Sequence, residues 1–370
     1  MLKIPVVIVL NTFCIGGAEI LVSQFMEFES NNIDNEFEYY VIELWPSKDI
    51  DYQEIRENFE KFSKIHYLNI KKKPFRSLMD FLTLLRERKV RVIHSHFTVA
   101  SIVSMIGKIL NPSIKFVITE HSMTNLNWTL SLKSILYAIS LTFSDAIVSV
   151  SEESKGYILN QIPWKRKSVT LALNAINLTP LLKILNIRNN NTLARSNHIR
   201  LCLICRLVPE KNVSDAIDVC NLIYESGHFV SLTIIGDGPF RSSLEHYAHT
   251  VAKFDFKFAG FSNNIAHYLL ESDGLLSMSV DESFSLVILE ALASGIPCFG
   301  FENKAKSTFD ICKPPLYLYP YRENYEVAKK VVEVLGQQTG NINFSYIDCL
   351  KKKFDIKKHA NEMHCIYKIF

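Results

Sequence analysis

Short apolar runs alternate along this chain with longer stretches in which apolar positions recur every three or four residues. In the first half the runs are 6–10, 39–44, 65–68, 90–94, 115–119, 146–150 and 169–173, and the periodic stretches are 18–27, 75–89, 99–110, 130–142 and 152–161. Runs that short predict buried strands, whereas the longer period predicts amphipathic helices. Strand and helix in regular alternation predict a parallel sheet with helices on both faces. A first doubly wound α/β domain is therefore expected over residues 1–177.

From about residue 178 the texture becomes polar and turn-rich, with Asn189-Asn190-Asn191-Thr192 and Arg195-Ser196-Asn197-His198. A segment of that kind between two α/β patterns predicts an interdomain linker over 178–198. The alternation restarts with runs at 200–205, 230–235, 256–259, 266–270, 275–280 and 298–301, and helical stretches at 213–225, 241–251 and 286–293. A second doubly wound domain is expected over 199–370. Two further helices, 325–335 and a basic one at 349–369, could pack on either domain, and the last of them could return to the first.

Composition narrows the function classes. Apolar residues make up 48% of the 370 positions and charged ones 21%, a globular balance. Net charge is +3, from 41 basic and 38 acidic residues, so no field predicts nucleic acid as a partner. Eight cysteines are scattered, mostly within apolar runs, and are expected as buried reduced thiols in a cytoplasmic protein. Cys202 and Cys205 have a zinc-like spacing, but no second pair follows, and alternation sends them to opposite faces of a strand. No metal site is expected. The N-terminal apolar run is too short for a signal peptide, and the stretch 130–150 is interrupted by Lys133 and Asp145, which favours a buried helix and strand over a membrane span.

In open α/β sheets ligands bind outside the carboxyl ends of the strands, so the loops there are where chemistry is sought. Gly16-Gly17-Ala18-Glu19 follows the first strand and opens the first helix, where free N–H groups suit a phosphate. No dinucleotide or P-loop fingerprint is present. Thr119-Glu120-His121 ends another strand, and His121 could bond a substrate hydroxyl or serve as an ordinary structural histidine. In the second domain Arg206 and Lys211 share one strand-to-helix loop, in reach of a diphosphate. Ile235-Gly236-Asp237-Gly238-Pro239 is a tight turn at the next strand end. Glu282 lies in a loop after the strand at 275–280, and Glu290 follows eight positions later on the next helix. Asp49-Ile50-Asp51 matches a metal-binding Asp-x-Asp, yet it follows Pro46-Ser47-Lys48 in a loop and is read as surface.

This ordered set, together with Asn174-Ala175-Ile176-Asn177, resembles glycosyltransferase family 4, whose members are retaining enzymes of the GT-B fold. The resemblance implies two Rossmann-like domains facing each other across a crevice, the first on the acceptor side and the second on the nucleotide-sugar side. It implies that Arg206 and Lys211 bind the donor diphosphate and stabilise it as it leaves. Glu282 would contact the donor sugar with help from the backbone of Ser283, Phe284, Ser285 and Leu286, and Glu290 would hold the ribose. His121 would face the transferred sugar, and Gly16 and Gly17 would sit by the phosphates and the acceptor. Gly236 would belong to the donor pocket. No cofactor and no metal is implied. Ser283 and Ser285 stand where the family often has glycine, and Phe301-Glu302-Asn303-Lys304-Ala305-Lys306 replaces a glycine-containing turn.

The function so implied is metal-independent transfer of a hexose-type sugar from a nucleotide-diphosphate sugar to a saccharide or lipid-linked saccharide. The setting would be bacterial cell-surface polysaccharide synthesis (O-antigen, capsule or lipopolysaccharide) in the cytoplasm or at the inner face of the membrane. A non-catalytic GT-B subunit and a sugar-nucleotide epimerase on the same fold are the alternatives. Lys71, Lys72 and Lys73 before Phe75, and Lys165, Arg166 and Lys167 after Trp164, combine basic and aromatic residues as interfacial anchors do.

Overall fold

The computed structural model describes residues 3–14, 16–46, 51–121, 131–190, 198–282, 284–336 and 344–368. The chain divides into two compact units, Met1–Ile176 with Ile356–Phe370, and Asn177–Asp355. Each is built on one parallel sheet.

In unit 1 the strands are β1 (Ile4–Leu10), β2 (Phe37–Glu43), β3 (Lys64–Tyr67), β4 (Val92–His96), β5 (Lys115–Glu120), β6 (Ala146–Ser149) and β7 (Val169–Leu171). Their order is β3-β2-β1-β4-β5-β6-β7, so the chain reverses direction across the sheet between β1 and β4. Consecutive β1 residues serve opposite faces. Val6 and Ile8 enter a core with the helix Gly17–Asn31, while Val7 and Val9 enter a second core with the helices Pro74–Glu87, Thr98–Leu110 and Leu132–Phe143. Such two-sided burial explains why the run reads as continuously apolar.

In unit 2 the strands are β8 (His198–Ile204), β9 (Phe229–Ile235), β10 (Asp255–Gly260), β11 (Gly274–Ser277), β12 (Cys298–Phe301) and β13 (Leu316–Tyr319), in the order β10-β9-β8-β11-β12-β13. The reversal here lies between β8 and β11. By the rule for open α/β sheets, the loops after β1 and β4 in unit 1, and after β8 and β11 in unit 2, are the ligand-binding positions.

Several elements depart from the sequence expectation. The run at 266–270 lies in a helix, Ile265–Glu271, that buries Leu269. The first part of the expected linker is a helix, Thr179–Asn190, within unit 2, with Leu181, Ile184 and Leu185 buried; its polar continuation at 191–197 lies outside the described residues. Residues 349–369, read as one helix, belong to two: Ile347–Phe354 in unit 2 and Ile356–Lys368 in unit 1. Asp355 between them is extended, and the Ile356 N–H donates to the Ile176 carbonyl at 3.0 Å. The helix Asp51–Phe62, in a stretch assigned no element, buries Ile55 and Phe59; Asp49 lies outside the described residues.

The expectation of eight reduced thiols is also corrected. Cys312 and Cys349, 37 positions apart, form a disulfide in unit 2. Nothing in the spacing of eight scattered cysteines identifies such a pair. The other six are free, and among the described residues no group of three or more His, Cys, Asp or Glu is placed to hold a metal.

Candidate functional site

The loop after β8 is built by its neighbours. Cys205 N–H donates to the Ile235 carbonyl at 3.0 Å and Leu207 N–H to the Asp237 carbonyl at 2.9 Å, so this loop runs alongside the Gly236-Asp237-Gly238 turn. With Leu207 fully buried, Arg206 before it is left exposed, with no ion pair among the described residues. A 3-10 turn, Pro209–Lys211, follows, and Asn212 closes it in the left-handed region at φ 49°. The Asn212 side chain donates to the Met278 carbonyl at 2.9 Å, tying this loop to the one after β11.

That tie brings Lys211 to Glu282. The Lys211 ammonium donates to Oε1 of the carboxylate, and the side chains keep 25% and 22% of their surface exposed. A second amide works from the other side: Asn303 donates to the Ser279 carbonyl at 3.1 Å and accepts from the Ala305 N–H at 3.0 Å. In the segment where the family resemblance called for a glycine-containing turn, an asparagine side chain thus makes the turn.

Ser283 lies outside the described residues. Ser285 caps the helix Leu286–Ala293, its hydroxyl accepting from the Ile288 N–H. The Phe284 ring packs against Phe309 and Phe354, with centroids 5.4 and 5.8 Å apart, and Leu286 is buried. What Phe284 and Leu286 can offer a ligand is therefore backbone, at a helix start where N–H groups have no carbonyl one turn back. Glu290 follows on the second turn, half-buried, and burial pushes its carboxyl up to about 7. A group so placed is costly to ionise alone and gains from a ligand that donates hydrogen bonds to it.

Gly236 is a steric requirement of this arrangement. It sits at φ +133°, and a Cβ there would stand 1.9 Å from the Cys205 carbonyl oxygen. Gly236→Ala is expected to lower the unfolding free energy by at least about 2 kcal/mol, by forcing apart the two loops. Urea unfolding of unit 2 checks this; an unchanged midpoint would show that the loops separate freely.

In unit 1, Gly16 caps the helix Gly17–Asn31 in extended conformation. A Cβ at Gly16 would meet Oε2 of Glu19 at 2.5 Å, so the glycine leaves room for this buried carboxyl. Glu19 accepts from the Cys14 thiol at 3.1 Å, and burial holds its carboxyl up at about 7. Gly17 is exposed and Ile15 lies outside the described residues. Asn11, just after β1, accepts from the Ala100 N–H at 3.1 Å, and Glu43, at the end of β2, accepts from the Phe13 N–H at 2.8 Å, so the loop after β1 is tied on both sides.

All three side chains of Thr119-Glu120-His121 are anchored. Thr119 bonds His94 Nε2 at 2.6 Å, Glu120 accepts from the Tyr137 hydroxyl, and His121 Nε2 bonds His96 Nδ1 at 2.8 Å. Alternation puts His94 and His96 on one face of β4, their ring centroids 4.3 Å apart with the planes tilted by 39°, and the His96 and His121 rings stack at 5.1 Å. Phe97, at φ 72°, lays its ring 5.6 Å from that of His121. Burial drives His121 down to about 3 and His96 well below the usual histidine range, so both rings are neutral near pH 7. The sequence reading found His121 but passed over His94 and His96, although two histidines two apart at a strand end signal a shared face.

Within unit 2, then, Lys211, Glu282 and the Gly236 turn converge on the β8 and β11 loops, with Arg206 exposed beside them; within unit 1, Gly16 and His121 each lie at strand ends. Comparison with known proteins identifies the fold that carries these residues. The model for Glycosyltransferase Family 4 matches residues 32–179, and the model for Glycosyl transferases group 1 matches residues 187–305. Two parallel Rossmann-type sheets carrying these matches define a glycosyltransferase of the GT-B fold. The chain belongs to glycosyltransferase family 4.

Over 70 residues it is 41% identical to the N-acetyl-alpha-D-glucosaminyl L-malate synthase of Bacillus anthracis, a stretch covering 19% of this chain and 18% of that protein. It is 22% identical over 237 residues, 61% of each chain, to the UDP-Gal:alpha-D-GlcNAc-diphosphoundecaprenol alpha-1,3-galactosyltransferase of Escherichia coli. The chain thus spans less than two thirds of the length of these two curated relatives. Among solved structures, Anabaena HepE in complex with UDP and glucose superposes with a TM-score of 0.76 at 15% identity, covering 98% of this chain and 99% of that one.

Proposed function

We propose that this protein is a retaining, metal-independent hexosyltransferase. It moves a sugar from a nucleotide-diphosphate sugar to a saccharide or lipid-linked saccharide in the synthesis of a bacterial cell-surface polysaccharide. The observation that carries this reading is the Lys211–Glu282 pair at the sheet reversal of unit 2, a cation and a carboxylate held together by the Asn212 tether. Relatives support the substrate class: one is named for a UDP-galactose donor and a diphosphoundecaprenol-linked acceptor, and a structural neighbour holds UDP and glucose.

Arg206 and Lys211 bind the donor diphosphate, Lys211 turning from Glu282 to the phosphate. Glu282, so released, accepts hydrogen bonds from the sugar hydroxyls. The bond between the anomeric carbon and the diphosphate oxygen breaks, and the acceptor oxygen bonds that carbon on the same face. The acceptor proton passes to the departing diphosphate. The two cations stabilise the charge that gathers on the leaving group, more in the transition state than before it. Neutral His121, with Nε2 committed to His96, presents its other ring nitrogen to the sugar. Gly16, Gly17 and the backbone around Ser283, Phe284, Ser285 and Leu286 supply N–H groups to phosphate and sugar, and Gly236 lets the β9 loop lie close. The basic clusters at Lys71, Lys72 and Lys73 and at Lys165, Arg166 and Lys167 serve contact with the inner face of a membrane.

Glu290 as ribose ligand gives a pH-dependent test. Its folded-state pKa of about 7 is raised from 4.5, so its contribution to stability is fully present below the unfolded value and is lost as pH rises through 7. Glu290→Gln is therefore expected to be more stable than the native protein at pH 8, by about 2 kcal/mol, and little different at pH 5. Titration calorimetry with UDP and GDP reads the function: affinity should rise between pH 6 and 8 as the carboxylate ionises, and the variant should lose that rise together with about tenfold in affinity at pH 8. Absence of binding by either nucleotide would overturn the transferase reading, whereas full affinity in the variant would overturn only the role of Glu290.

A further inference from the structure

The helix Leu132–Phe143 has two apolar faces, and only one of them is used by the fold. Tyr137 and Leu141 are buried in the unit 1 core. On the other side Leu132, Ile135, Ile139 and Phe143 stand between 39% and 71% exposed, with Leu136 partly exposed among them. At 100° per residue these five fall within an arc of about 100°, an unbroken stripe over three turns. The C-terminal end of the stripe continues onto neighbouring elements. Lys165 donates to the Ser144 carbonyl at 2.6 Å, which brings the 3-10 turn Pro163–Ser168 and Trp164, 67% exposed, to the helix end. Lys108 reaches Asp145 at 2.8 Å, which brings exposed Ile109 and Leu110 to the same place.

Apart from Asp145, the charges on these segments are all of one sign. Residues 131–144 and 163–168 contain no acidic residue, while Lys133, Arg166 and Lys167 are exposed and Lys165 partly so. Asp145, next along the chain, is already paired with Lys108. We infer that this stripe, with Trp164 and the Lys165-Arg166-Lys167 turn at its end, is a docking surface for an anionic lipid bilayer, the helix lying in the plane of the interface.

A bilayer suits these features better than a second copy of the chain. A strip one helix wide and about 17 Å long offers far less than the roughly 800 Å² per partner that a stable dimer buries. An apolar face flanked by Trp, Lys and Arg is what a helix needs to sink into the headgroup boundary while its cations meet anionic lipid. Among the described residues no helix is long and apolar enough to cross a membrane, so contact through this helix is interfacial. Glu120, at the end of β5 beside His121, accepts from the Tyr137 hydroxyl on the core-facing side of this helix, so a chain docked along the stripe holds that strand end with only the helix between it and the bilayer. The inference extends the membrane contact proposed above and is tested without any sugar donor, so its failure and that of the transferase reading are separate results.

The test is flotation of the full chain with vesicles of phosphatidylcholine alone and of equal parts phosphatidylcholine and phosphatidylglycerol, at low and high salt. Native protein should float with the anionic vesicles at low salt and be partly released at high salt. The triple variant Ile135→Gln/Ile139→Gln/Phe143→Gln should lose more than about tenfold in partition at either salt. Arg166→Gln/Lys167→Gln should lose its preference for the anionic vesicles, and Ile139→Leu should float like the native chain. Thermal unfolding of each variant shows whether it is folded, and the Arg166/Lys167 variant keeps the test valid if the triple variant is not. Native protein that stays off anionic vesicles at low salt overturns the inference. So does a folded triple variant that floats undiminished, or a native dimer in sedimentation velocity that the triple variant converts to monomer.

Discussion

Lys211→Ala is expected to lower turnover by about two to three powers of ten while leaving the protein folded. The two halves of that expectation rest on different physics. In the free protein Lys211 is paired with Glu282, both side chains about a quarter exposed, and a partly solvated ion pair of this kind contributes about 1 kcal/mol or less to stability. With a donor bound, the same ammonium would face a diphosphate that gains negative charge as the sugar departs, and a fixed cation there acts on the transition state. Loss of kcat with little change in melting temperature is the signature. A double-mutant cycle with Glu282→Ala separates the roles: if the pair were only structural, removing both partners would restore what removing one had cost. If Lys211→Ala turns over at the native rate, the diphosphate role of the β8 loop is wrong.

What made the candidate site legible was the rule that ligands gather outside the carboxyl ends of parallel strands, which picked out the loops after the runs at 200–205 and 275–280. The family resemblance then joined Arg206, Lys211, Glu282 and Glu290 into one candidate site. The strand order that makes the loops after β8 and β11 neighbours is a property of the structure. The tethers were not legible. Asn212 and Asn303 hold the β11 loop from both sides through side-chain hydrogen bonds to the Met278 and Ser279 carbonyls, and an asparagine in a polar loop carries no mark of such a bond.

The expected linker was misread for a different reason. Its buried positions, Leu181, Ile184 and Leu185, have helical spacing, and with Leu182 and Ile187 they make the segment apolar, but the linker reading took its character from the polar residues 186–198 that follow. Burial by the rest of unit 2, and not intrinsic preference, makes that segment a helix. The closing segment, by contrast, did contain its own answer. Leu350 and Phe354 share one helical face, whereas Ile356, Ala360, Met363 and Tyr367 share another rotated by about 200°, so a single straight helix could not have buried both. The phase slip at Asp355 is where the chain passes from unit 2 to unit 1.

Acidification should destabilise the two units unequally, and the imbalance originates in the histidines that the sequence reading passed over. His94 and His121 are driven by burial to about 3, His359 to about 4, and His96 well below the usual range. All four lie in unit 1. Each has a folded pKa below the 6.5 of the unfolded chain, so its contribution is present above pH 6.5 and is lost as pH falls, because the unfolded state takes up protons that the folded state refuses. At pH 5.5 the four together cost about 5 kcal/mol. Glu19 opposes them, since a carboxyl raised to about 7 stabilises progressively as pH falls through 7, and returns about 2 kcal/mol between pH 8 and 5.5. In unit 2 the raised carboxyl of Glu290 acts in that same stabilising direction. Amide exchange corrected for intrinsic rates should therefore show protection in β4 and β5 falling by about two powers of ten between pH 8 and 5.5, while the helix Leu286–Ala293 keeps or gains protection. His359→Gln, which removes one titrating ring, should reduce the pH slope in unit 1 by about one proton. Equal loss of protection in both units would mean that the histidine cluster is solvated and protonated in the folded protein, and with it would go the neutral His96–His121 pair that the proposed sugar contact requires.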